Sequence, residues 1–336
     1  MIGILLLNIG TPDNCDRNSV KRYLQDFLDD DNIIDINRVL RYILVNFIIC
    51  PIRSGSVAKK YQTIWTKEGS PLLSHSKRLK EKMMKNLGDK FAIELGMIVG
   101  NPSIVSGLDK LMKKNCDEIV ILPMFPQYSS VTNGSCISKA MNILREDKNV
   151  PNKIHIIKNF FDSKYFIESV CFNIHQEIAD YKEYYFLFSY HGLPNNTLKK
   201  ICKNVDTCNK ISCVKDKNTL CYKSECYQTS DLVASTLGIS KDMYCTTFQS
   251  RFGFAPWIEP YTDVRVKELR KRKVENLAIV CPAFTMDCLE TLEEIGIDEK
   301  EAWKELGGKN FKLVPCVNDS DIWSSNLCKI ISDRIK

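Results

Sequence analysis

The chain has 336 residues, 44% of them hydrophobic and 26% charged, with a formal net charge of +6. That length suits about two domains, each able to bury a core without disulfide staples. The basic residues are spread out, and the densest run, Lys271 to Lys273, carries no interleaved aromatics, so it reads as a solvated helix end and not as a nucleic-acid patch.

Met1 to Ile9 is apolar but lacks a basic leader region and is cut short by Gly10-Thr11-Pro12, so it reads as a buried first strand. Further strands are expected at 92–100, 118–123, 154–157, 184–189, 242–247, 276–282 and 311–315. Helices are expected at about 17–30, 35–50, 71–87, 102–115, 134–147, 162–181, 218–237, 263–272, 287–306 and 320–334. The strand runs are continuously apolar and alternate with helices, the pattern of parallel sheets covered on both faces. The fold class expected is therefore α/β with doubly wound parallel sheets. The longest later apolar run, Tyr42 to Cys50, is interrupted by Asn46 and falls short of the ~20 residues that span a bilayer. The expected location is the cytoplasm, or the membrane surface facing it.

Ligands of open α/β sheets bind beyond the carboxyl ends of the strands. No Gly-rich dinucleotide or phosphate fingerprint follows any strand, so no nucleotide cofactor is expected. His191 follows an apolar strand in Ser-Tyr-His-Gly-Leu-Pro, where Gly192 and Pro194 shape a fixed turn. Its imidazole can accept a proton or bind a metal near neutral pH, or it can simply hydrogen-bond the loop. In the 287–306 helix, residues three and four apart place Asp287, Glu290, Glu294, Asp298 and Glu301 in one acidic stripe. That stripe is either a solvated face or a path for protons or a hard divalent cation. The loop Thr247 to Pro260 carries Phe and Trp257, suited to a flat apolar ligand or to plain loop packing. The stretch Val39 to Ser54 is too apolar for one narrow helical stripe: it is a core helix, or a lip that holds a hydrophobic ligand and touches a bilayer.

Of 15 cysteines, five crowd together at Cys202, Cys208, Cys213, Cys221 and Cys226. Their spacings match no standard zinc or ferredoxin motif, yet such density without an export signal points to metal binding before core packing.

Taken together, these residues resemble the ferrochelatase family nearly end to end. The resemblance is carried, in order, by Leu6 to Pro12, Gly69-Ser70-Pro71-Leu72, Gly100-Asn101-Pro102-Ser103 and Pro126-Gln127-Tyr128-Ser129. It continues through Ser189 to Pro194, Phe248 to Arg251 with Pro256-Trp257, Cys281 to Phe284, Asp287 to Glu294 and Pro315 to Asn318. The resemblance implies two similar chelatase-type domains, about 1–157 and 158–336, with a porphyrin cleft between them. The segment from about 318 onward would pack back on the first domain, and the Cys-rich insert 202–226 would belong to the second. It implies insertion of Fe²⁺, as substrate, into protoporphyrin IX with release of two protons, the last step of haem biosynthesis. His191 and Glu290 fall on the catalytic and metal-handling positions, and Asp287 and Glu294 on the proton or metal path. Asn8, Ile9, Arg53, Tyr61, Tyr128, Ser129 and Trp257 fall on porphyrin-binding positions.

Two positions bear on the porphyrin pocket. Ile98-Val99 stands where family members often carry Arg-Tyr, and Ile9 matches the protoporphyrin-using branch where the coproporphyrin branch tends to have Tyr. Some bacterial members hold a [2Fe–2S] cluster in this cysteine segment. By that resemblance Cys208, Cys213, Cys221 and Cys226 would be its ligands, with Cys202 as alternate and zinc as the runner-up occupant. Other readings are a coproporphyrin ferrochelatase, a cobalt or nickel chelatase, and a non-catalytic haem or metal carrier.

Overall fold

The computed structural model describes residues 1–29, 36–146, 151–199, 221–253 and 255–335. They form two compact units. Unit 1 comprises 1–124, 130–158 and 319–336, and unit 2 comprises 125–129 and 159–318.

Unit 1 is built on a four-stranded parallel sheet in the order β2-β1-β3-β4. The strands are β1 (Ile2–Gly10), β2 (Phe91–Val99), β3 (Glu118–Pro123) and β4 (Lys153–Ile156). Ile4, Leu5, Leu6 and Leu7 of β1 are all buried, so both faces of the central strand are covered, which explains its unbroken apolar run. Helices start where short polar side chains can take the orphan amides: Asp16 accepts from Asn18 and Ser19, and Ser103 accepts from Ser106. The last helix, Asp321–Ile335, belongs to this unit and buries Trp323. Just before it, Asp319 accepts from His75 at 2.5 Å and from Arg78 Nε at 3.0 Å, fastening the chain to the Pro71–Leu87 helix.

The helix expected at about 35–50 continues past Pro51. Helix Arg38–Ile43, a π-helical turn Leu44–Ile49 and helix Cys50–Ile64 run on without interruption. Contrary to the expectation from the apolar run alone, this 27-residue helical stretch is long and apolar enough to cross a membrane by length and composition. Its inner side is nevertheless part of the unit. Val45 and Cys50 pack with Leu28 of the Arg17–Leu28 helix, Gln25 pairs with Asn46, and buried Arg41 lies 3.5 Å from Asp29. The other side exposes Val39, Leu40, Tyr42, Ile43, Phe47, Ile48 and Ile52, the last at 73%.

Unit 2 repeats the architecture, with a parallel sheet in the order β6-β5-β7-β8. Its strands are β5 (Tyr185–His191), β6 (Tyr244–Gln249), β7 (Asn276–Val280) and β8 (Asn310–Val314). One face packs Leu187, Leu277 and Ile279 against Val266, Leu269, Ile295 and Trp303. β5 runs two residues beyond its expected end, because Tyr190 and His191 still pair with Phe248 and Gln249 of β6. His191 is therefore the last residue of a strand and not a loop residue, which ties its backbone to the sheet.

Candidate active site

At the carboxyl end of the second sheet, His191 is half-buried, with its ring centroid 6.3 Å from those of both Trp257 and Phe284. Its Nδ1 lies 2.6 Å from the Gly192 carbonyl oxygen. That oxygen can only accept, so Nδ1 carries the hydrogen and Nε2 keeps its lone pair, the tautomer a base requires. The 192–195 turn is zipped to the Trp257 loop by Ile258 N–H to Leu193 O at 3.0 Å and Asn195 N–H to Pro256 O at 2.9 Å. Gly192 permits this closeness: a Cβ there would sit 2.9 Å from Gln249 O and 3.2 Å from the Trp257 ring.

Glu294 is gripped by one residue twice. Ser250 donates its N–H at 2.8 Å and its hydroxyl at 2.5 Å to the two carboxylate oxygens. Ser250 adopts φ +64°, a left-handed conformation uncommon outside glycine, at the exit of β6. Burial pushes the Glu294 carboxyl upward, the Ser250 bonds oppose this, the His191 imidazole lowers it and Glu290 raises it. Glu294 thus senses both His191 and Glu290 electrostatically. Gln249 steadies the same corner, donating to Glu290 O at 2.7 Å and accepting from Ser189 Oγ at 2.6 Å.

The acidic stripe does not run as α-helical spacing predicts. The 287–306 segment is a short helix Leu289–Leu292, a π-helical turn Glu294–Glu299 and a helix Lys300–Glu305. A π turn repeats at i+5 where an α turn repeats at i+4, so the partner of Glu294 one turn on is Glu299 and not Asp298. Asp298 and Glu301 are exposed, whereas Glu299 is half-buried and its carboxyl is pushed up to about 7 by burial, then by Asp263 and Glu294. Asp287 is buried and braces the turn before the helix. Thr291 donates to its Oδ1 at 2.9 Å, Asn318 donates to its Oδ2 at 2.6 Å, and its own N–H donates to Asn318 Oδ1 at 2.8 Å.

Of the other residues expected in the site, Tyr128 and Ser129 lie in unit 2, half-buried and buried respectively. Asn8, Ile9, Arg53 and Tyr61 lie in unit 1. There Asn8 accepts from the Ile9 N–H at 2.8 Å, Arg53 is exposed, and Tyr61 is buried edge-on against Tyr23 and Trp65. The cysteine-rich segment falls mainly outside the described residues, which exclude Cys202, Cys208 and Cys213. Cys221 and Cys226 are described, both as buried thiols, and burial holds the Cys226 thiol well above its ordinary value. Among the described residues no group of three or more His, Cys, Asp or Glu is placed to hold a metal.

Sequence reasoning missed Ser250 and Glu299 as individuals. Ser250 was visible only as part of Phe248-Gln249-Ser250-Arg251, and its backbone conformation leaves no mark in the sequence. Glu299 was hidden because the helical period was taken as 3.6 throughout.

A carboxyl whose folded value is raised loses stability as pH climbs from its unfolded value of about 4.5 to its folded value of about 7. Glu299→Gln removes that loss. The variant is expected to be about 1 kcal/mol more stable than the parent at pH 8, the gap closing to a few tenths near pH 5. Urea unfolding at the two pH values measures it, and an equal gap at both would refute the assignment.

Comparison with known proteins bears on the family and the fold. The ferrochelatase family profile matches residues 1–335. A protein named ferrochelatase from Legionella pneumophila is 45% identical over 335 residues, covering 99% of each chain. One from Coxiella burnetii is 42% identical over 341 residues, covering 100% of this chain and 94% of its own. Among solved structures, SirB from Bacillus subtilis with Fe³⁺ superposes with TM-score 0.58 at 10% identity, covering 99% of this chain and 95% of its own. The sirohydrochlorin chelatase SirB from Bacillus subtilis subspecies spizizenii, in complex with cobalt, gives 0.54 at 9% identity over the same shares. Those two likenesses bear on the fold alone. The profile match and the full-length identities establish that this chain belongs to the ferrochelatase family, enzymes of metal insertion into porphyrin.

Proposed function

We propose that this enzyme inserts Fe²⁺ into protoporphyrin IX to form protohaem, with His191 as the base. The observation that carries the reading is the paired environment of His191. Its Nδ1–H is occupied by the Gly192 carbonyl, its Nε2 is left as the basic atom, and Glu294 responds to its charge.

The free-base macrocycle holds two pyrrole N–H protons that must leave before metal enters, so a base near the ring centre is required. His191 Nε2 takes a proton, and the resulting imidazolium is stabilised by the Gly192 carbonyl on its far side and by Glu294. Because burial raises the Glu294 carboxyl, it holds a proton more readily than an exposed carboxylate does. Glu299, one turn on from Glu294, extends that route, and Glu290 with His191 handles the incoming Fe²⁺. Asp287 shapes the turn that presents Glu290. Trp257 and Phe284, beside the imidazole, supply apolar surface for a flat ring, with Tyr128, Ser129, Asn8, Ile9, Tyr61 and Arg53 as further porphyrin contacts. Ile9 favours protoporphyrin over coproporphyrin.

Cys208, Cys213, Cys221 and Cys226, with Cys202 as alternate, hold a [2Fe–2S] cluster in this reading. Two buried thiols close to one another, Cys221 and Cys226, are compatible with it. Bound iron would deprotonate them despite their burial. The exposed apolar side of the 38–64 helical stretch, beside Arg38 and Arg53, suits the interfacial region of a bilayer.

Anaerobic assay with protoporphyrin IX and Fe²⁺ is expected to yield haem by absorbance, with His191→Ala slower by about 100-fold or more. Absence of product from the parent protein, or conversion of coproporphyrin III in preference, would overturn the substrate assignment. Equal rates for parent and variant would overturn the base. Protein isolated without oxygen should be coloured and carry about two iron atoms per chain, whereas a colourless, iron-free preparation rules the cluster out. In flotation, the protein should rise with anionic liposomes, and Phe47→Asp with Ile48→Asp should leave it in solution. A parent protein that stays in solution removes the membrane contact.

A further inference from the structure

The helix Tyr222–Leu237 touches two parts of the candidate site through its first turn. The Tyr222 hydroxyl donates to the carbonyl oxygen of His191 at 2.8 Å. One turn along, Glu225 accepts the N–H of Tyr128 on Oε2 at 2.6 Å and the Asn159 amide on Oε1 at 2.9 Å. One further turn along, Thr229 Oγ1 accepts from Gln127 Nε2 at 3.0 Å, and Gln127 also reaches Pro282 O at 3.3 Å. The partners on His191 and Tyr128 are backbone atoms. Such bonds fix where a residue stands and leave its side chain free for chemistry.

These groups are deeply placed, Tyr222 being 7% exposed and Glu225 3%. A packing role alone would be met by apolar residues of similar size. A buried carboxyl is costly to hold. Glu225 makes its bonds to Tyr128 and Asn159 despite that cost.

We infer that Tyr222 and Glu225 are positioning residues for metal insertion, Tyr222 setting the His191 imidazole through its carbonyl and Glu225 setting the Tyr128 loop through its amide. This deepens the reading of His191 as base and Tyr128 as a porphyrin contact, and rests on it. The His191 carbonyl belongs to the peptide that leads into Gly192, whose own carbonyl holds Nδ1. Releasing the first lets that peptide turn and weakens the second. The imidazole then loses the hydrogen bond that holds Nδ1 and aims Nε2.

The test is steady-state kinetics with protoporphyrin IX and Fe²⁺ on the full chain, for Tyr222→Phe and Glu225→Gln beside His191→Ala, with folding checked by circular dichroism and melting temperature. Tyr222→Phe should lower kcat about tenfold and leave KM for the porphyrin within about twofold. Glu225→Gln should raise that KM by about fivefold with kcat within about twofold, because the amide turns one of the two accepting oxygens into a donor that faces Tyr128 or Asn159. An inactive His191→Ala beside folded variants with parent kcat and KM overturns the positioning roles alone. An active His191→Ala overturns the base and this inference with it. If Tyr222→Phe does not fold, Tyr222→Met fills the space without a hydroxyl. Failure of both to fold makes Tyr222 a folding residue and overturns its half, and the Glu225→Gln KM then decides the other.

Discussion

A carboxyl group buried beside an imidazole must be held by donors or it will turn away or protonate, and the double grip of Ser250 on Glu294 meets that need. The grip requires the left-handed backbone of Ser250, which aims one residue's N–H and hydroxyl at the same side chain. That conformation is strained for a residue with a Cβ, and it persists because β6 delivers the chain on one side and the Arg251–Asp263 pair fastens it on the other. His191, Glu290 and Gln249 are then placed around a carboxyl whose position is settled.

The π turn does for the helix what Ser250 does for the loop. It admits one additional residue between Glu294 and its neighbour on the next turn, bringing Glu299 into the half-buried row and leaving Asp298 in water. Ile295, immediately after Glu294, is fully buried in the core beneath, so the helix cannot rotate to restore the ordinary spacing without withdrawing an apolar anchor. Packing thus sustains a register that hydrogen bonding alone would not prefer.

The chemistry-bearing residues hang on backbone that is secured elsewhere. His191 is the last paired residue of β5, its carbonyl is taken by Tyr222, and the turn after it is zipped to the Trp257 loop. Asp287 accepts from Thr291 and Asn318, closing the turn that opens the acidic helix. Apart from the local Thr291 bond, these are contacts between segments far apart in the chain, which is how a site keeps sub-ångström order.

The sequence by itself determined the doubly wound parallel architecture, because strands covered on both faces must be apolar throughout and the helices between them must be amphipathic. It also pointed to the carboxyl ends of the strands, near His191, and to an acidic helix as the candidate site. Only the tertiary structure decided that His191 is a strand residue with its Nδ1 held by the Gly192 carbonyl, since both contacts act through space. It alone decided which carboxylates share a face, because a π turn is favoured by packing and not by residue type. It likewise decided that Tyr222 and Glu225 reach His191 and Tyr128, since contacts between residues 31 and 97 positions apart leave no local pattern to read.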